Sequence, residues 1–118
     1  MHRAHQLPGY SQKALKKVIW TPTARESLRE TTNFIGEIWD EHVIDEFLNQ
    51  LDFRIEQIIS NPELAPPFNN SEFRQLYIHK SVSLFYRNYS NYIKILLVWD
   101  NRQNPAQLQK KINNANSP

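Results

Sequence analysis

Arg102 stands in Val98-Trp99-Asp100-Asn101-Arg102-Gln103-Asn104-Pro105, where the most hydrophobic run of the chain ends in a polar cluster. A guanidinium at the mouth of a strand has one chemistry above others: its planar fork grips an oxyanion, phosphate included, through two parallel hydrogen bonds. Between asparagines and a proline it is equally a solvated turn residue. His79 is the one histidine in the strand-like part of the chain, and its ordinary pKa suits proton transfer in either direction. On a half-exposed strand such a histidine is more often a plain surface residue. Tyr77 and Phe85 offer ring faces to an unpaired base or to a protein partner. Arg74, Lys80, Arg87 and Lys94 bring cations to the same region, either to neutralise phosphates or to keep a sheet edge from pairing.

Other site chemistries find little to work with. There is no cysteine, so no disulfide framework, thiolate nucleophile or thiolate metal site. His2 and His5 have a loose metal-like spacing that supports only adventitious binding, and no metal or cofactor is expected. Gly9 and Gly36 are the only glycines, which excludes a glycine-rich phosphate loop. No apolar run is long enough to span a membrane, and the N-terminus has no apolar core of a secretory signal, so a cytoplasmic protein is expected.

The chain's 118 residues suffice for one domain with one core. Residues 1–15, polar and broken by Pro8-Gly9, read as a mobile arm or non-native leader; residues 16–108 read as the domain and 109–118 as a polar tail. The net charge of +2 conceals three blocks: residues 1–20 carry +4, residues 21–67 carry −7 and residues 68–118 carry +5. An acidic middle therefore lies between basic ends.

Lys17-Val18-Ile19-Trp20-Thr21 is β-branched and aromatic and predicts a short strand. Thr23-Ala24-Arg25-Glu26 matches a capping box, which predicts a helix over about 24–38 with Leu28, Phe34, Ile35 and Ile38 toward its buried side. Asp40 is the next N-cap. After it Ile44, Phe47, Leu48, Leu51, Ile55, Ile58 and Ile59 form a helical stripe, ended at Asn61-Pro62. Three strand-like segments follow at 73–80, 81–88 and 92–100, with connections short enough for an antiparallel meander. The expected fold is α+β, two antiparallel helices packed on a twisted, mainly antiparallel sheet in the order β-α-α-β-β-β.

Period-2 alternation assigns the faces. It places Ile93, Ile95, Leu97 and Trp99 on the helix-covered side. Tyr77, His79, Ser83, Phe85, Arg87, Lys94 and Arg102 fall on an uncovered face that is basic and aromatic, while the acids ride on the helices. Arg102, beyond the strand end, is expected to be removable without loss of the fold.

The ordered set VIWTPTARESL, IISNPE, FRQLYI, VSLFYR and YIKILLVWDNRQNP resembles the RelE/ParE superfamily of bacterial toxins across residues 17–108. The resemblance implies the toxin half of a type II toxin–antitoxin pair, with a cognate antitoxin as principal partner. It also implies one of two targets: messenger RNA on the ribosome, cleaved by RelE-like members, or DNA gyrase, inhibited by ParE-like members. RelE-like sites carry an arginine in the penultimate strand, an arginine after the last strand and a tyrosine six residues further on. Here those positions hold Ser83, Arg102 and Leu108. In the nuclease reading Arg102 holds the scissile phosphate and His79 or a lysine moves protons, with Arg74, Tyr77, Lys80, Phe85, Arg87 and Lys94 binding RNA. In the gyrase reading the same residues bind a target and catalyse nothing. A decayed toxin that keeps only antitoxin binding is the third reading.

Overall fold

The computed structural model describes residues 16–38, 40–79 and 81–116, so the N-terminal arm and Lys80 lie outside the described residues. Strand β1 (Lys17–Trp20) leads into helix α1 (Pro22–Ile38) and then α2 (Glu41–Ser60). Strands β2 (Phe73–His79), β3 (Val82–Asn88) and β4 (Tyr92–Asp100) form the expected meander, and β1 pairs parallel to β4, giving the order β1-β4-β3-β2. A 3-10 turn at Pro105–Gln107 precedes a third helix, α3 (Leu108–Asn116).

The helix starts follow from local chemistry. Asp40 caps α2, its carboxylate accepting from the His42 and Val43 amides. At α1 the cap is Thr21 rather than Thr23. The helix begins at Pro22, the Thr21 hydroxyl accepts from the Ala24 amide at 3.0 Å, and Glu26 pairs with Arg29 instead of turning back to the backbone. Proline at the first helical position supplies a preset φ and lacks an N–H that would go unbonded there.

The helix-side core contains Phe47, Leu51, Ile58, Leu76, Leu84, Tyr86, Ile93 and Ile95, all buried. From α1 it receives Ala24 and Ile35, whereas Phe34 and Ile38, expected inside, are 41% and 53% exposed. The buried side of α1 runs instead through Ala24, Ser27, Thr31 and Ile35. Ser27 on this side, and Thr21 just before the helix, have a reason to be there. Strand β1 pairs with β4 only from Tyr92 to Ile95, so the next stretch of β4 meets α1 instead of a strand. There Thr21 Oγ1 donates to the Ile95 and Leu96 carbonyls, and the Val98 amide donates to Ser27 Oγ at 2.9 Å. Buried backbone groups that a fifth pairing segment would have satisfied are thus satisfied by helix side chains.

A β-bulge changes the faces of β4. Phe85 pairs with Leu97 and Tyr86 with Ile95, so Leu96 is an extra residue without an opposite number. Past the bulge the alternation inverts. Val98 joins Ile93 and Ile95 in the helix-side core, while Leu97 and Trp99 turn to the other face, contrary to the period-2 assignment.

That other face is not open. Leu108, Ile112 and Ala115 of α3 pack on Phe85, Leu96, Leu97 and Trp99, with Phe68 and Phe73 beside them, in a second core. The segment expected to be a polar tail is a roof over half the sheet. Phe85, placed by alternation on an exposed face, is fully buried and meets the Phe68 ring edge-on at 5.0 Å.

Candidate functional site

The end of β4 is a compact turn built around Asp100. The Asn101 amide donates to the Ser81 carbonyl and the Gln103 amide to the Asp100 carbonyl. Asp100 Oδ1 accepts from Ser81 Oγ at 2.9 Å and from the Arg102 amide at 2.9 Å. Arg102 then folds back on the same carboxylate: Nε lies 3.0 and 3.2 Å from the two oxygens, and Nη2 lies 2.6 Å from Oδ2. Asp100 is only 4% exposed, so the pair joins a buried carboxylate to a half-exposed guanidinium. The fork expected to grip a phosphate already holds an oxyanion of its own. Hydrogen bonds from Arg102 hold the Asp100 carboxyl below the ordinary carboxylate range, and the same contact raises the guanidinium pKa further. Nη1 has no hydrogen-bond partner among the described residues, and the guanidinium carbon sits 5.4 Å from the centre of the Phe34 ring.

Behind Arg102 lies a pocket of about 310 Å³ between α1, the end of β4 and α3. Phe34, Leu97 and Trp99 give it apolar walls; Glu30, Thr31, Arg102, Gln103 and Lys111 give it a polar rim. None of the α1 or α3 residues was read from sequence as part of a site; Phe34 was expected only in the core. The signal for α3 was nonetheless present: Asn104-Pro105 as a cap and first-turn proline, followed by Leu108, Ile112 and Ala115 at helical spacing.

The other nuclease positions are filled by structural residues. Ser83 is fully buried, and its hydroxyl accepts from Gln75 Nε2 at 3.1 Å and from Asn101 Nδ2 at 2.7 Å. Leu108, at the tyrosine position, is a buried member of the second core. His79 departs from its expected face. The register slips between Tyr77 and His79, so His79 pairs with Val82 of the helix-side core and its Nε2 lies 4.0 Å from Glu46 of α2. That nitrogen is buried and has no hydrogen-bond partner among the described residues. The bulge therefore separates His79 from Tyr77, which remains 58% exposed at the β2 edge.

The expected cations divide likewise. Arg74 donates to the Ala65 carbonyl at 2.6 Å and so anchors the loop before β2. Arg87 pairs with Glu72 at 2.5 Å and lies over the Tyr89 ring at 4.7 Å. Lys94 is its cross-strand neighbour on β4. Arg87 and Lys94 thus stay together on the face away from α1 and α2, while Arg102 is engaged at the far end of β4. One continuous basic sheet face does not form.

The sequence matches the family model described as ParE toxin of the type II toxin–antitoxin system parDE over residues 18–105. Among solved structures, one titled a chromosomal ParDE toxin–antitoxin system from P. aeruginosa superposes with a TM-score of 0.60 at 15% identity, covering 72% of this chain and 95% of that one. A YoeB dimer from Staphylococcus aureus is similar at a TM-score of 0.49 and 17% identity, over 70% of this chain and 92% of that one. No curated protein sequence matches significantly. The family match spans β1 to the turn after Arg102 and includes the whole four-stranded sheet. This chain belongs to the ParE toxin family, within the RelE/ParE superfamily of type II toxins.

Proposed function

We propose that this protein is the toxin of a type II pair, held by a cognate antitoxin in the cytoplasm, and that it inhibits DNA gyrase by binding rather than by cutting RNA. The observation that carries this reading is the Asp100–Arg102 pair. A scissile phosphate would have to displace a buried carboxylate from the guanidinium fork and leave that carboxylate without its charged partner, which is strongly unfavourable. Transition-state stabilisation needs donors that are preorganised and vacant where charge develops. Ser83 and Leu108 supply neither a second cation nor a phenol, and His79 faces α2.

The test is to run the purified chain in a gyrase supercoiling assay and in a ribosome-dependent messenger RNA cleavage assay. Inhibited supercoiling with intact RNA is the expected result. RNA cleavage that disappears in Arg102→Ala, with supercoiling unaffected, overturns the proposal and restores the nuclease reading.

A further inference from the structure

Thr31 sits on the buried side of α1 without the bonds that explain its neighbours. The Ser27 hydroxyl donates to the Ala24 carbonyl and accepts from the Val98 amide, and the Thr32 hydroxyl donates to the Leu28 carbonyl. Thr31 is 6% exposed, yet its hydroxyl has no hydrogen-bond partner among the described residues. Trp99 repeats the pattern on β4: the residue is buried, and its indole N–H is likewise without a partner among the described residues. Buried donors left unpaired destabilise a fold. Both residues line the pocket of about 310 Å³ behind Arg102, so an acceptor placed in that pocket would relieve them together.

The charged groups of the pocket extend the same bias. Arg102 holds Asp100 with Nε and Nη2, so an acceptor can take Nη1 without breaking the pair. Lys111 of α3 stands on the rim with no acidic partner among the described residues. Asp100 adds no free acceptor, because its oxygens already take bonds from Ser81 and Arg102. The remaining carboxylate, Glu30, lies on the exposed rim, where solvent and salt screen it. Unpartnered donors therefore dominate between the apolar walls of Phe34 and Leu97. Such a lining selects a ligand with acceptor oxygens and an apolar body. A volume near the lower end for small-molecule pockets keeps that body compact.

We propose that this pocket is a binding site for a small organic carboxylate with a compact aromatic or branched aliphatic body. The two carboxylate oxygens offer about four acceptor sites, which take bonds from Thr31, Trp99, Arg102 Nη1 and Lys111 while the body lies against Phe34 and Leu97. Binding leaves the Asp100–Arg102 pair intact and does not depend on which target the protein inhibits. A ligand there touches α1, β4 and α3 together, so it stabilises the folded chain and ties the third helix to the sheet.

The experiment titrates the isotope-labelled whole chain with hydrocinnamate, its neutral amide and phenethylamine, following the assigned Trp99 indole N–H resonance by NMR. Wild type is compared with Lys111→Gln, Thr31→Val and Lys110→Gln, the last an equal change of charge at the adjacent exposed residue outside the pocket. The expected result is a saturable shift with hydrocinnamate. Binding should be about tenfold weaker for the amide, and about tenfold weaker for the carboxylate in Lys111→Gln and Thr31→Val. Lys110→Gln should bind as wild type does. Lys111 is exposed, so its variant keeps the test decisive where Thr31→Val disturbs α1. No saturable shift at the solubility limit of hydrocinnamate, equal affinity for the amide, or equal loss in both lysine variants overturns the proposal. Tighter binding of phenethylamine also overturns it, and makes Glu30 the anchor of a cation site.

Discussion

At the scale of single residues, Arg102 is the residue whose reading changes most. From sequence it stands outside the core and removable; in the fold it neutralises a carboxylate that is 4% exposed. We expect Arg102→Ala to destabilise the protein by about 1–2 kcal/mol, a charged hydrogen-bonded pair discounted for the half-exposed guanidinium. The sign of its pH dependence follows from the depressed Asp100 pKa. Stability from the pair is fully present above the unfolded carboxyl value of about 3.9 and is lost as pH falls through the lower folded value. Denaturant melts of wild type and variant should therefore differ at pH 7 and converge as pH drops below about 4. A difference independent of pH would mean the side chain stabilises by packing on Phe34 instead. Ser27 makes a second residue-scale case. Ser27→Ala removes the acceptor of the buried Val98 amide and should cost about 1–3 kcal/mol, read in the same melts.

Among the elements, the α1 start and α3 decide the most. Two threonines compete for the α1 cap, and the structure gives the position to Thr21, whose hydroxyl also serves the Ile95 and Leu96 carbonyls. Thr21→Ala should cost about 2 kcal/mol or somewhat more, because the cap and the buried carbonyl contact go together. Thr23→Ala, in the first turn and free of that duty, should change stability by less than about 0.5 kcal/mol. Equal costs would restore the capping box. Helix α3 is short and would not persist alone in water, so its order comes from packing. Ile112 is fully buried between it and the sheet. Ile112→Ala should cost about 2–4 kcal/mol and expose the second core, measurable as a red shift of the buried Trp99 emission and increased dye binding. An exposed polar tail would show neither.

On the scale of the whole molecule, one sheet is shared by two cores. The helix-side cluster and the α3-side cluster meet through the same β3 and β4 backbone, with adjacent residues such as Leu84 and Phe85 committed to opposite faces. Neither cluster can loosen without disturbing the pairing that holds the other. Thermal unfolding is therefore expected as a single transition, with far-UV and near-UV circular dichroism superimposable. A separate early loss of the aromatic signal would identify α3 as an independently melting flap. The acidic helices and the Arg87–Lys94 row do lie on opposite sides of the sheet, as the charge blocks suggest. The third expected member, Arg102, was removed from that row by its own carboxylate.

The sequence by itself determined the elements whose signals are local. The Asp40 cap and the apolar stripe after it required α2, and three β-rich segments with short connections required a meander. The ordered motifs from Val18 to Pro105 were enough for the superfamily. What the sequence left undecided depends on one extra residue in a ladder. Alternation is a period of two, so a single bulge at Leu96 exchanges the faces of Leu97, Val98 and Trp99, and a second irregularity after Tyr77 moves His79 to the helix side. Bulges arise from how two strands fit each other and from what lies beyond them, which at β4 includes the Thr21 hydroxyl at the cap of α1 and the Ser27 hydroxyl within it. No single stretch encodes that fit. The candidate site shares this origin: Asp100 and Arg102 are two residues apart and visible to any reader of the chain, but only burial of the carboxylate turned a free cation into half of a pair.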